Sequence, residues 1–273
     1  MQYPTLQQLL EAGVHFGHQV RRGNPKMRQY IYGAKEGVHI IDLTLSEAKL
    51  KEACEYVKDL GKQGGMLLVV GTKKQARPIV EELAEKTGAY YITERWIGGF
   101  LTNFEEISKN IKKLKELKVQ KEKGELSKYT KKEQLLLDRK MIKLERDFKG
   151  VLEMSKVPEA IFIVDAASDD IAAKESIRTG VKVVAIADSN SDPSLMDFPV
   201  PGNDDAIKSI RILTEAIITS YEEGKKQLSE NNERAIKKEQ EKKDLEVAIP
   251  EEDIAIAEEE IEKKTLKDSE RVV

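Results

Sequence analysis

The chain is poor in the residues that mark several protein classes. It has one cysteine, Cys54, which excludes an internal disulfide and a cysteine-rich zinc site and fits a reducing compartment, the cytoplasm. Nowhere do about 18 apolar residues run together, so no membrane-spanning helix is expected. The opening MQYPTLQQLLEAG sets no basic group ahead of its short apolar stretch, so no secretory leader is expected either. Neither sign of charge is in large excess, since 46 Lys and Arg stand against 49 Asp and Glu and leave −3. That average conceals an asymmetry. Residues 222–273 carry 11 basic and 17 acidic groups, and residues 1–221 carry the other 35 and 32, a net +3. Binding to a polyanion depends on local clusters of cations, so the chain average neither supports nor excludes a nucleic-acid partner.

The glycine spacing of a nucleotide-binding enzyme is also missing. The string VVGTKK at 69–74 runs from a strand into a turn with lysines, as phosphate-binding loops do. A Walker loop needs two glycines bracketing that turn so that backbone amides wrap the phosphates, and only Gly71 is there. No GxGxxG follows any strand. Asp165 ends an apolar run like a magnesium-binding strand, but without a phosphate loop it reads better as the start of a turn. No serine, cysteine or lysine has a nucleophile setting, and no enzyme activity is expected.

What is present alternates. Short Val/Ile-rich runs at 38–41, 66–70, 90–93, 161–165 and 183–188 are separated by helical patterns, which predicts a doubly wound α/β sandwich around a parallel sheet. Thr5 with Gln8 and Thr44 with Glu47 form capping boxes. Pro78 suits the first turn of a helix beginning near Arg77. Ser168 and Gly180 bracket another helix, and Asn203 or Asp204 caps the last core helix, with Ile207, Ile210, Ile217 and Tyr221 near one face. Residues 105–149 are too long for an ordinary crossover. Ile107, Ile111 and Leu114, then Leu137, Met141, Leu144, Phe148 and Val151, mark two helices of an antiparallel hairpin with a turn near 123–128. This insertion holds 15 basic and 9 acidic groups. The organisation expected is an α/β core over 1–221, including a protruding hairpin at 105–153, and a charged tail over 222–273 that is disordered or a lone exposed helix.

Candidate binding residues follow from local chemistry. Arg21, Arg22, Lys26 and Arg28 lie on a loop punctuated by Gly and Pro, beside Tyr30 and Tyr32, a composition that follows a folded RNA backbone while aromatic faces stack on exposed bases. Lys73, Lys74 and Arg77 flank one strand end, and Arg95 with Trp96 follows another; Trp96 reads as core. Lys112 and Lys113 add cations on the hairpin. His39 reads as a satisfied residue of its strand. His15 and His18 would ligate a metal only if Asp188, Asp204 or Asp205 converged on them, and local hydrogen bonding is the simpler role. No motif calls for a cofactor; a structural divalent metal is the one candidate.

Several strings together resemble the bacterial small-subunit ribosomal protein S-two family. They are LLEAGVHFGHQVRRGNPKM at 9–27, GVHIIDL at 37–43, VVGTKKQA at 69–76, RWIGGFLTNF at 95–104, ADSNSDP at 187–193 and PVPGNDDAIKSI at 199–210. They occur in the family's order across residues 1–221. Ser189 stands where many members have Thr, and Lys182 where many have Pro. The resemblance implies a Rossmann-like or flavodoxin-like three-layer core with a projecting coiled-coil hairpin, seated between the head and body of the small subunit. It implies contact with small-subunit ribosomal RNA and with neighbouring proteins, including recruitment of the large S-one ribosomal protein. Arg21, Arg22, Lys26 and Arg28 become the leading RNA contacts, with Lys112 and Lys113 secondary. The tail is longer and more charged than in many members, so the resemblance does not cover it.

Overall fold

The computed structural model of the protein describes residues 3–247. The chain divides into two units, Met1–Lys226 and Gln227–Val273.

The first unit opens with α1 (Leu6–Glu11), whose start is fixed by the Thr5/Gln8 capping box. Strands β1 (Phe16–Gln19), β2 (Ile31–Lys35) and β3 (Val38–Ile41) then make a small antiparallel sheet in the order β1-β3-β2. The run at 38–41 is therefore not part of the parallel sheet. Only Ile41 in it is buried, and four residues are too few for periodicity to separate a half-exposed strand from an enclosed one. Helix α2 (Leu43–Lys62) follows, capped by the Asp42 carboxylate, which accepts from Thr44 N at 2.8 Å, rather than by Thr44 itself.

Strand β4 (Leu67–Val70), α3 (Arg77–Thr87) and β5 (Tyr90–Ile92) lead to an inserted helix pair, after which β6 (Ala160–Ile163), α6 (Asp170–Thr179), β7 (Lys182–Ala187) and β8 (Phe198–Pro201) complete the core. The five strands β4–β8 form one parallel sheet ordered β5-β4-β6-β7-β8. Counted within the sheet this is 2-1-3-4-5, a doubly wound order whose direction reverses between β4 and β6. Alternation along the strands splits the core into two layers. Leu67, Val69, Phe162, Val184 and Ile186 face Leu50, Val57, Val80, Leu213 and Ile217 from α2, α3 and the last helix. Leu68, Val70, Ile161, Ile163, Val183 and Ala185 face α6, the 96–101 loop and the base of the inserted helices. Pro78 sits in the first turn of α3, and Gly180 ends α6 in the left-handed conformation at φ 76°.

The insertion is α4 (Phe104–Glu122) and α5 (Lys131–Phe148). They pack through Ile107, Ile111, Leu114 and Leu117 against Met141 and Phe148, with Leu137 and Leu144 partly buried beside them. Ion pairs Lys118–Glu145 at 2.7 Å and Lys121–Asp138 at 2.9 Å cross between them. Gly124, at φ 70°, opens the turn, and Thr130 with Glu133 forms a capping box at the start of α5.

The Asn203 side chain accepts from Asp205 N at 2.8 Å and Ala206 N at 3.1 Å, ahead of α7 (Ile207–Val247). Ile210, Ile217 and Tyr221 are buried, whereas Ile207 is 60% exposed and lies off that face. Where α7 meets α2, glycine faces glycine: a Cβ on Gly61 would lie 2.6 Å from Tyr221 O, and one on Gly224 would overlap Lys58 O. In the second unit the described residues, 227–247, are helix, and 229–234 are exposed. Over 222–247 the charged tail is thus helical; 248–273 lie outside the described residues. Among the described residues no helix is long and apolar enough to cross a membrane.

Candidate nucleic-acid interface

In sheets of this order, ligands usually sit beyond the strand ends where the order reverses. Here β4 leads to Lys73, β6 to Asp165, β7 to Asp188 and β8 to Asp204 and Asp205, and these side chains close on one another. Lys73 Nζ lies 2.8 Å from Asp204 Oδ1, 2.6 Å from Asp205 Oδ1 and 3.4 Å from Asp165 Oδ2. Burial alone would lower the pKa of the lysine, but its hydrogen bonds to Asp204 and Asp205 raise it. Asp204 is fully buried; desolvation, with Asp165 and Asp188 nearby, pushes its pKa up to about 7 against the pull of Lys73. Asp165 accepts from Ala167 N and Ser168 N and so shapes the turn expected of it. A phosphate brought here meets four carboxylates, and Lys73 is already engaged by three of them. Gly71 offers no cradle, because a Cβ there would lie 2.7 Å from Val80 Cγ2.

His18 does join the carboxylates. Its Nδ1 is 3.1 Å from Asp188 Oδ1, off the angle of a hydrogen bond, and its Nε2 is 3.4 Å from Asp205 Oδ2. The contact with Asp188 raises the imidazole pKa against desolvation. His18, Asp188 and Asp204 offer ligand atoms within 4.8 Å of one another, and Asp204 Oδ2 is buried without a hydrogen-bond partner. His15 does not join them. It lies against Phe16 with ring centroids 4.0 Å apart, its Nδ1 is buried without a partner, and burial lowers its pKa. His39 is not satisfied as expected, for its Nδ1 also lacks a partner.

The basic loop is a pair of short 3-10 turns, Val20–Arg22 and Pro25–Tyr30. Its backbone is pinned by Asn24 N donating to Ser189 O at 2.7 Å and by the buried Met27, so its cations project from a fixed base. Arg21, Arg22, Lys26 and Arg28 are all exposed. Arg21 Nε donates to Gln19 Oε1 at 2.9 Å, and Lys26 is neutralised by Asp192 at 2.7 Å. Arg28, Lys74 and Arg95 are exposed, with no hydrogen bond or ion pair from their side chains among the described residues. Arg77 is held by Thr72 O and Glu94. Lys112 and Lys113 are exposed on α4, and Lys113 lowers the pKa of Lys140 on α5 by hydrogen bonding and like charge. Tyr30 is half-buried and Tyr32 is 82% exposed. Sequence reasoning missed Glu175, which organises the 96–102 loop; the signal available was a charge on the inward, alanine-lined face of α6.

These features define a parallel α/β protein whose customary ligand crevice is filled by its own charges and which presents exposed cations on the 20–30 loop and on the inserted helices. The Ribosomal protein S2 family profile matches residues 9–224, and the chain belongs to that family. It is 47% identical to the small ribosomal subunit protein uS2 of Bdellovibrio bacteriovorus over 82% of this chain and 71% of that protein. It is 46% identical to that of Corynebacterium glutamicum over 85% and 89%, and 45% identical to that of Dictyoglomus thermophilum over 82% and 92%. The family is not enzymatic.

Proposed function

We propose that the protein is a structural constituent of the small ribosomal subunit and binds small-subunit ribosomal RNA at the head–body junction. The observation that carries the RNA contact is the pinned loop presenting Arg21, Arg22 and Arg28 to solvent, while the strand-end crevice is acidic. Lys74 and Arg95 supplement the loop, and Lys112 and Lys113 extend it along the helix pair, which we read as a projecting coiled coil on a flavodoxin-like platform. Lys26 contributes less charge than its neighbours because Asp192 offsets it, and Lys73 serves the acidic cluster rather than RNA. Family membership supports neighbouring small-subunit proteins as partners, including recruitment of the S-one ribosomal protein. Small subunits purified from cells should contain the chain stoichiometrically. Replacing Arg21, Arg22, Lys26 and Arg28 with Ala should lower its occupancy; unchanged occupancy would remove the loop from the account.

His18, Asp188 and Asp204 suit a structural divalent cation, supported by the unpartnered Asp204 Oδ2; His15 is left out of that set. Zinc titrated into the full chain should raise Tm in the parent protein and not in His18→Ala. Equal shifts in both would discard the site.

A further inference from the structure

Beside the basic loop lies a groove of about 500 Å3 between the turn Pro25–Tyr30 and the loop at 193–194. That size falls within the range of small-ligand sites, roughly 300–1,000 Å3, and is too small to admit a duplex. We propose that it seats the base of one unpaired nucleotide of the bound RNA. The proposal rests on the RNA-binding reading above and adds the kind of RNA element that this face recognises.

Three observations carry it. The walls are built in advance: the Asn24 side chain accepts from Lys26 N at 3.0 Å, and Asp192 accepts from Ser194 N at 3.0 Å. Lys26 Nζ then ties the two sides together through Asp192 Oδ2 at 2.7 Å and Ser194 Oγ at 2.8 Å. Charge is the second observation. With Lys26 neutralised inside the groove, Arg28 is the cation there that lacks a partner among the described residues, enough for one phosphate and not for the row of phosphates that a duplex presents. The third is surface chemistry. Tyr30 and Pro25 offer an aromatic ring and a pyrrolidine face, with Pro193 buried in the opposite wall, while the exposed Gln29 carboxamide has both a donor and an acceptor to spare. Stacking surfaces with one edge-reading amide and one free cation match a splayed-out base and its phosphate, the form in which single-stranded RNA is read.

The test uses small subunits reconstituted with full-length protein and probed with base-modifying reagents on unpaired positions. The expected result is at least one unpaired base protected by the parent protein and exposed again by Gln29→Ala and by Tyr30→Leu, with the protein still incorporated and its affinity reduced about tenfold by the Tyr30 change. Gln29 is exposed, so its variant tests the groove even if Tyr30→Leu perturbs the turn. Stoichiometric incorporation without protection of any unpaired base, or protection identical in parent and both variants, overturns the groove proposal and leaves the RNA-binding reading standing. Failure of the parent protein to enter the particle overturns both.

Discussion

A carboxylate with 7% of its surface exposed persists in charged form only if hydrogen bonds replace its lost water, and Glu175 receives five. They come from Trp96 Nε1 at 3.3 Å, Gly99 N at 2.7 Å, Leu101 N at 3.1 Å, and Thr102 N and Oγ1 at 3.4 Å each. Burial would raise its pKa, but these donors together hold it below the ordinary value. Glu175→Ala strands several of those donors and should cost about 3 kcal/mol. Trp96 is the one tryptophan, so the loosened loop should show as a red shift of its emission in the folded variant; unchanged emission and stability would deny Glu175 this role. Asp169 is the opposite case. Burial, aided by the charge of Asp165, pushes its pKa up to about 6 from 3.8, against hydrogen bonds from the hydroxyl and backbone of Thr72. The folded state therefore keeps a proton that the unfolded state releases, and stability falls as pH rises through about 4 to 6. Asp169→Asn, which still accepts from Thr72, should gain about 1–3 kcal/mol at pH 7.5 and lose the advantage at pH 4. Equal denaturation midpoints at both pH values would refute the burial penalty. At this scale the basic loop was legible because its four cations fall within residues 21–28 and are punctuated by Gly and Pro. The role of Lys73 was not, because its partner Asp204 lies 131 residues away and only the sheet brings them together.

Elements were legible where length and caps agreed. The four apolar runs that became β4 to β7, the Pro78 start of α3, the Gly180 stop of α6 and the apolar spacing of the inserted helices all depend on local chemistry. Strand β8 escaped because Pro199 and Pro201 argue against a strand; at the edge of the sheet their missing N–H groups cost no ladder hydrogen bonds. The glycine pair between α2 and α7 escaped as well, since neither residue marks a turn. On an exposed helix Gly→Ala gains about 1 kcal/mol. At Gly224 the added methyl meets the backbone of α2, so Gly224→Ala should instead lose roughly 1–3 kcal/mol. Chemical denaturation gives the sign directly, and a stabilised variant would mean that the helices do not approach so closely.

For the whole molecule, net charge says nothing about RNA, but its distribution does. Four aspartates gather at the strand ends around Lys73, the tail is acidic, and the exposed arginines face outward from a pinned loop. The platform was legible from the alternation of strands and helices. The acidic filling of the crevice was not, because it depends on which strand ends become neighbours. The most direct test of the account is the salt dependence of binding between the full chain and small-subunit RNA, compared with the triple variant Arg21→Ala, Arg22→Ala and Arg28→Ala. At about 0.9 per duplex-like phosphate contact, the log–log slope of the variant should be shallower by about 3. A slope and affinity equal to those of the parent protein would contradict the claim that this loop holds the protein to its RNA.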